Sequence, residues 1–191
     1  MRNLFWFVII ASIFSIMLSC DKDDDNEEQE NPLEIGDFHE GGVIFYLDET
    51  GEHGLVCAVL DQGFNIEWGC PSLLNFGADG LEIGTGAQNT ADILNACDEV
   101  NIAASLCDQF ESNGYDDWYL PSRDELDSLY QHREIVSETA IENNGGNLSG
   151  GEYWSSSHYL DNTVWIQNFD AGNQLSELKD QNNYVRAIRT F

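Results

Sequence analysis

The chain has 191 residues, enough for one domain with a buried core, and sets 7 Lys and Arg against 35 Asp and Glu for a formal net charge of −28. Such a balance repels phosphate backbones and anionic bilayers, so nucleic acid is excluded as a partner and membrane contact has to come through an anchor. With 12% aromatic residues and 5 Trp the sequence is unlike the aromatic-poor acidic chains that stay disordered, so the charge sits on a folded body.

Residues 1–19 read as a secretory signal peptide: Arg2, the apolar run LFWFVIIASIFSIML, and a small residue before Cys20. The run is short for a membrane span and its flank is acidic. Met17-Leu18-Ser19-Cys20 resembles the lipobox of bacterial lipoproteins, with Met17 where that pattern more often has Leu, and implies a lipid on Cys20. Residues 20–32 form an acidic tether, DKDDDNEEQENP behind the cysteine, which has no apolar residue to pack and is extended by self-repulsion. An acidic run placed there also resembles the surface-export signal of lipoproteins in gut-dwelling Gram-negative bacteria. The expected location is the outer membrane, lipid-anchored and facing the cell exterior.

Residues 33–191 carry the domain. Gly41-Gly42 opens a strand over Val43–Leu47, and the turn-rich 48–54 link leads to a second run, Leu55–Leu60. Both runs are apolar at successive positions, which predicts a central hairpin covered on both faces. From Asp61 to Asn89 the Gly, Asn and Asp content predicts loops, with Trp68-Gly69-Cys70-Pro71 as a buried anchor; Gly80–Gly86 lacks the Lys and the flanking pattern of a phosphate loop. Asn89 or Thr90 is expected to cap a helical region bearing Ile93, Cys97, Val100, Cys107 and Phe110. The stretch GYDDWYLPSRDELDSLY, residues 114–130, is the most fully specified in the chain. Pro121 keeps Leu120 extended, Ser122 and Glu125 make a capping box, and Leu126, Leu129 and Tyr130 form one apolar stripe behind the anchor Trp118. Runs at Tyr153–Ser157, Thr163–Phe169, Gln174–Lys179 and Tyr184–Thr190, separated by turns at 170–173 and 180–183, predict an antiparallel meander whose last strand joins the first hairpin.

Trp118-Tyr119-Leu120-Pro121-Ser122 with Glu125, then Tyr153-Trp154-Ser155, then a closing strand with Arg186 and Arg189, resembles the Lcl C-terminal domain family over roughly Gly41 to Phe191. The resemblance implies an extracellular α+β, C-type lectin-like domain, here with two helical regions packed on the antiparallel β-hairpin and the C-terminal meander. The family's name-giving member is a collagen-like adhesin, and its best-known relative is associated with sulfated glycans. The charge count opposes that ligand preference for this chain.

With Cys20 lipidated, four cysteines remain, and an exported chain is expected to form two disulfides from them. On an unbroken helix Cys97 and Cys107 would stand about 15 Å apart, too far to bridge, although a break near Asn101 would relax that objection. Relatives similar to this chain carry the Cys70 and Cys97 pair alone, so the resemblance favours Cys70 with Cys97 and leaves Cys57 with Cys107. No HExxH, GxSxG elbow or CxxC occurs, the four histidines stand apart, and no EF-hand spacing is present. No catalytic residue, cofactor or metal is therefore expected. Arg186 and Arg189 are expected to pair with carboxylates, with Asp116, Asp117 and Glu125 as candidates, and Trp118, Trp154 and Trp165 to lie in the core. The expected role is non-catalytic ligand binding, adhesin-like, to a neutral glycan or a surface protein. The alternatives are an enzyme or accessory acting on cell-surface polysaccharide and a structural envelope component.

Overall fold

Strands β1 (Phe38–His39), β2 (Gly42–Leu47) and β3 (Gly54–Cys57) pair antiparallel in sequence, Val43 facing Cys57 and Leu47 facing Gly54. The computed structural model describes residues 31–74, 76–148 and 150–191, so the expected signal peptide over 1–19, the expected lipid on Cys20 and nearly all of the expected tether over 20–32 lie outside the described residues. Among the described residues no helix is long and apolar enough to cross a membrane.

The unbroken apolar run in β2 has a direct structural cause. Ile44 and Val56 enter one core cluster with Ile93, Ala103, Ala104 and Cys107, while Val43, Phe45 and Cys57 enter a second with Leu126, Leu129, Val136 and Ala140. Period-two alternation on a sheet covered on both faces leaves no position for a polar side chain. The first cluster is roofed by α1 (Gly86–Ala96) and α2 (Ala103–Asp108), the second by α3 (Arg123–Gln131) and α4 (Arg133–Glu142). The break between α1 and α2 sits where Asn101 takes φ +60°. The start of α1 differs from expectation by a turn: its N-cap is Thr85, and Asn89 and Thr90 are buried inside the helix, their side chains engaged in tertiary hydrogen bonds.

The remaining strands are β4 (Gly63–Glu67), β5 (Glu152–His158), β6 (Thr163–Asn168), β7 (Gln174–Leu178), β8 (Asn182–Val185) and β9 (Ile188–Thr190). They and the hairpin make two sheets, β1-β2-β3-β9 and β4-β8-β5-β6-β7. The expectation that the chain's last strand returns to the hairpin holds, with Val56 opposite Arg189. The meander expectation is corrected: the closing run divides at Arg186-Ala187, and its first half leaves the meander order to lie parallel to β5, Tyr153 opposite Tyr184, and antiparallel to β4. Strand β4 falls where loops are predicted.

Two devices hold residues 70–74 and Phe76. Cys70 and Cys97 form the disulfide implied by the family resemblance, Cα atoms 5.9 Å apart, tying these residues to the end of α1. Closing a loop of this length restricts the unfolded chain by roughly 3.5 kcal/mol. Lys179 reaches in from the far side: it is fully buried, donates from Nζ to the Leu73 carbonyl at 2.6 Å, and lies over the Phe76 and Trp68 rings. Burial lowers its pKa from the ordinary 10.5 to about 8. Between these values the unfolded chain keeps the proton that the folded chain has released, so stability rises with pH through that window. Thermal melts of the parent and Lys179→Met below pH 8 and near pH 10.5 are expected to shift in the parent's favour at the higher pH; a constant difference between the two would contradict this.

Candidate functional site

The signature residues converge, and what they build is a polar seam. Ser122 caps α3 by accepting from the Glu125 amide at 3.3 Å, and Glu125 Oε2 accepts from the Ser122 amide at 2.7 Å, the capping box read from the sequence. The same two side chains then bind the 80–86 loop: Ser122 Oγ donates to the Glu82 carbonyl at 2.9 Å, and Glu125 Oε1 accepts from the Gly84 amide at 2.8 Å. Gly86 has to be glycine here because a Cβ would meet Glu125 Oε2 at 2.2 Å. Asn89 clamps Gly80 from both sides, Ser157 Oγ donates to the Gly80 carbonyl at 2.6 Å, and the Ser156 amide donates to the Pro121 carbonyl at 2.7 Å. Burial pushes the Glu125 carboxyl up, opposed by these hydrogen bonds. Satisfied buried networks of this kind define one packing arrangement.

The aromatic members of the signature lie in the core. Trp118 is 2% exposed and donates to the Tyr115 carbonyl; Trp154 is fully buried and donates to the Ile66 carbonyl; Tyr119 exchanges backbone hydrogen bonds with Ile188. Trp165, by contrast, is only half-buried, with Tyr159 against its edge and the Arg123 guanidinium 5.3 Å from its centroid.

Both arginines are paired, with partners that differ from those expected in one case. Arg189 meets Asp117 at 2.5 Å and Glu40 at 3.0 Å and stacks on Tyr115. Arg186 is buried against Asp61 at 2.8 Å and donates to the Ala58 carbonyl at 2.6 Å. Glu125 serves backbone amides instead of an arginine, and Asp116 makes no ion pair with either.

The expected Cys57–Cys107 disulfide is absent. Both are buried free thiols, and the reason is sidedness: Cys57 points into the cluster under α3 and α4, Cys107 into the cluster on the opposite face of the hairpin. Burial raises both thiol pKa values, that of Cys57 to about 11, which keeps them un-ionised at neutral pH. Among the described residues the one convergence of three potential metal ligands is Cys70, Cys97 and Glu99. There the sulfurs are joined to each other and the carboxylate accepts from the Cys70 amide at 2.8 Å.

Open grooves lie elsewhere. At the β4 edge a groove of about 330 Å³ is lined by Phe64, Asn65, Glu152, Asn182, Asn183 and Tyr184. Its neighbour, about 560 Å³, shares Asn65 and Asn182 and continues past Glu67, Asp98 and Glu99. The pairing of β4 with β8 is irregular between Gly63 and Ile66, and Asn65 takes φ +60°, so the consecutive residues Phe64 and Asn65 both face solvent. Phe64 is 74% exposed. A third groove, about 530 Å³, lies along α4 between Arg133, Glu134, Glu138 and Asp170; its aromatic residue, Phe169, is 6% exposed and offers no ring face. Sequence reading missed the β4-edge residues because 61–89 reads as loop and 180–183 as turn. The available signal was an aromatic residue isolated among Gly and Asn.

The model of the Lcl C-terminal domain matches residues 57–189, well over half of the chain. The chain belongs to the Lcl C-terminal domain family. The match begins at Cys57, inside the hairpin, yet this Lcl C-terminal domain needs β2 as well, since β2 fills both faces of the core beside β3. No curated protein matches the sequence. Among solved structures the fold is similar to that of a fimbrial protein from Bacteroides ovatus, with a TM-score of 0.56 and 12% sequence identity. That similarity covers 82% of this chain and 48% of the fimbrial protein, so this Lcl C-terminal domain spans about half of that protein's length.

Proposed function

We propose that the chain is a surface-displayed lipoprotein, anchored at Cys20, whose single domain binds an uncharged glycan or a surface protein without turning it over. The observation that carries this reading is the β4-edge surface, where an exposed ring stands among side-chain amides in a solvent-open groove. Rings stack on the apolar faces of sugars and amides bond their hydroxyls. The adhesin in the family resemblance and the fimbrial protein of similar fold support a role at the cell surface. The signature residues give catalysis no support, because their hydrogen-bonding capacity is spent inside the fold.

Cys20→Ala is expected to release the mature chain from the membrane fraction with the domain still folded, since one lipid and not an apolar helix would hold it. Membrane retention of that variant would contradict the anchor. For the binding role, the soluble fragment Pro32–Phe191 presented with panels of glycans and matrix proteins is expected to retain a ligand unchanged. Cleavage of a retained polysaccharide would replace this reading with an enzymatic one.

A further inference from the structure

The β4-edge grooves are not interchangeable with the other surfaces, and their chemistry narrows the ligand. Asn183, 7% exposed, is among the residues that line the first groove. Beside it stand the amides of Asn65 and Asn182, which both donate and accept, and the Glu152 carboxylate, an acceptor for hydroxyl groups. Glu152 is held in place by the Asn168 amide at 3.2 Å.

Two rings complete the groove. Tyr184 is stacked on Tyr153 with centroids 5.2 Å apart, which fixes it as a rigid wall, and Phe64 projects from the bulged edge strand. The lining of the first groove and its extension contains four carboxylates, Glu152, Glu67, Asp98 and Glu99, and no Lys or Arg. Sulfate or uronate groups would meet these at close range with nothing to neutralise them. Volumes of about 330 and 560 Å³ fall in the range of about 300–1,000 Å³ typical of small-ligand sites.

From these features we infer that the β4–β8 edge is an oligosaccharide site for uncharged sugars. One ring stacks on Phe64 over Asn183, and further residues of the glycan run across Asn65 and Asn182 into the second groove. The assignment rests on the binding role proposed above and names its ligand and its place.

The test uses the soluble fragment on an array of uncharged hexose and N-acetylhexosamine oligosaccharides. The variants are Phe64→Ala and Asn182→Ala, both at exposed positions, with Tyr159→Ala as a control at another exposed aromatic residue; melting curves establish that each is folded. Binding by the parent is expected to weaken on the order of tenfold or more in Phe64→Ala, equivalent to about 1.4 kcal/mol, to weaken in Asn182→Ala, and to persist in Tyr159→Ala. Parent binding that survives both groove substitutions, or that is lost in Tyr159→Ala instead, overturns the location and leaves the binding role standing. A parent that retains no arrayed glycan but holds a matrix protein overturns the ligand class; retention of neither overturns the binding role itself.

Discussion

Trp118→Ala is expected to destabilise the domain by about 3–5 kcal/mol, the range for truncating a large core aromatic. The ring is 2% exposed, packs edge-on against Phe110 with centroids 5.3 Å apart, and hydrogen-bonds the Tyr115 carbonyl. Its neighbour Tyr119 is bonded in both directions to Ile188 on the closing strand, and Leu120 accepts from and donates to Thr90 of α1. A cavity at Trp118 therefore loosens the point where α1, the capped helix and the last strand meet. Chemical denaturation of parent and variant measures the difference; an unchanged midpoint would move Trp118 to the surface and contradict the core assignment.

The two arginine sites are expected to respond very differently to loss of a carboxylate. Asp61→Ala leaves the Arg186 guanidinium, 1% exposed at its side chain, facing the carbonyls of Ala58 and Asn147 with its carboxylate partner removed. Stranding a buried charge in this way costs about 3–5 kcal/mol. The site also sits at the switch between sheets, where the Ala187 amide donates to Gln62, so both sheets would be disturbed. Asp117→Ala removes a carboxylate that is 57% exposed and leaves Glu40 beside Arg189, so a cost of about 0–1 kcal/mol is expected. Comparable losses in the two variants would show that burial does not separate these pairs.

The parts of the fold legible in the sequence are those with a local signal. The capping box at Ser122 and Glu125, the buried-on-both-faces hairpin and the turn-bounded strands after residue 150 each follow from chemistry within a few residues. What was not legible depends on distant partners. Strand β4 consists of GFNIE, with Gly and Asn weakening any strand signal, and is a strand only because Asn182–Val185 pairs with it from the other end of the chain. The division of the closing run has no Gly or Pro to mark it; buried Arg186, bonded to Ala58 and Asp61, sits there. Asn89 and Thr90 look like helix caps because their side chains compete for backbone groups, and here the groups they bind are Gly80 and Leu120. Pairing Cys57 with Cys107 by elimination failed because strand alternation puts Cys57 on the face that α2 does not cover.

The same distinction applies to function. The signature motifs are conspicuous because they build the interior seam, whereas the β4-edge groove draws on residues scattered through a loop-like stretch and a turn-like stretch. Its acidic lining, together with a net charge of −28, is the point on which this chain is expected to part from a relative associated with sulfated glycans.

Side-by-side retention of the Pro32–Phe191 fragment on heparin and on uncharged oligosaccharides, at about 150 mM salt where the Debye length is near 8 Å, addresses that expectation directly. Binding to an uncharged glycan with no retention on heparin is the predicted result. Salt-sensitive retention on heparin would contradict it and place the ligand surface away from the carboxylate-lined β4 edge.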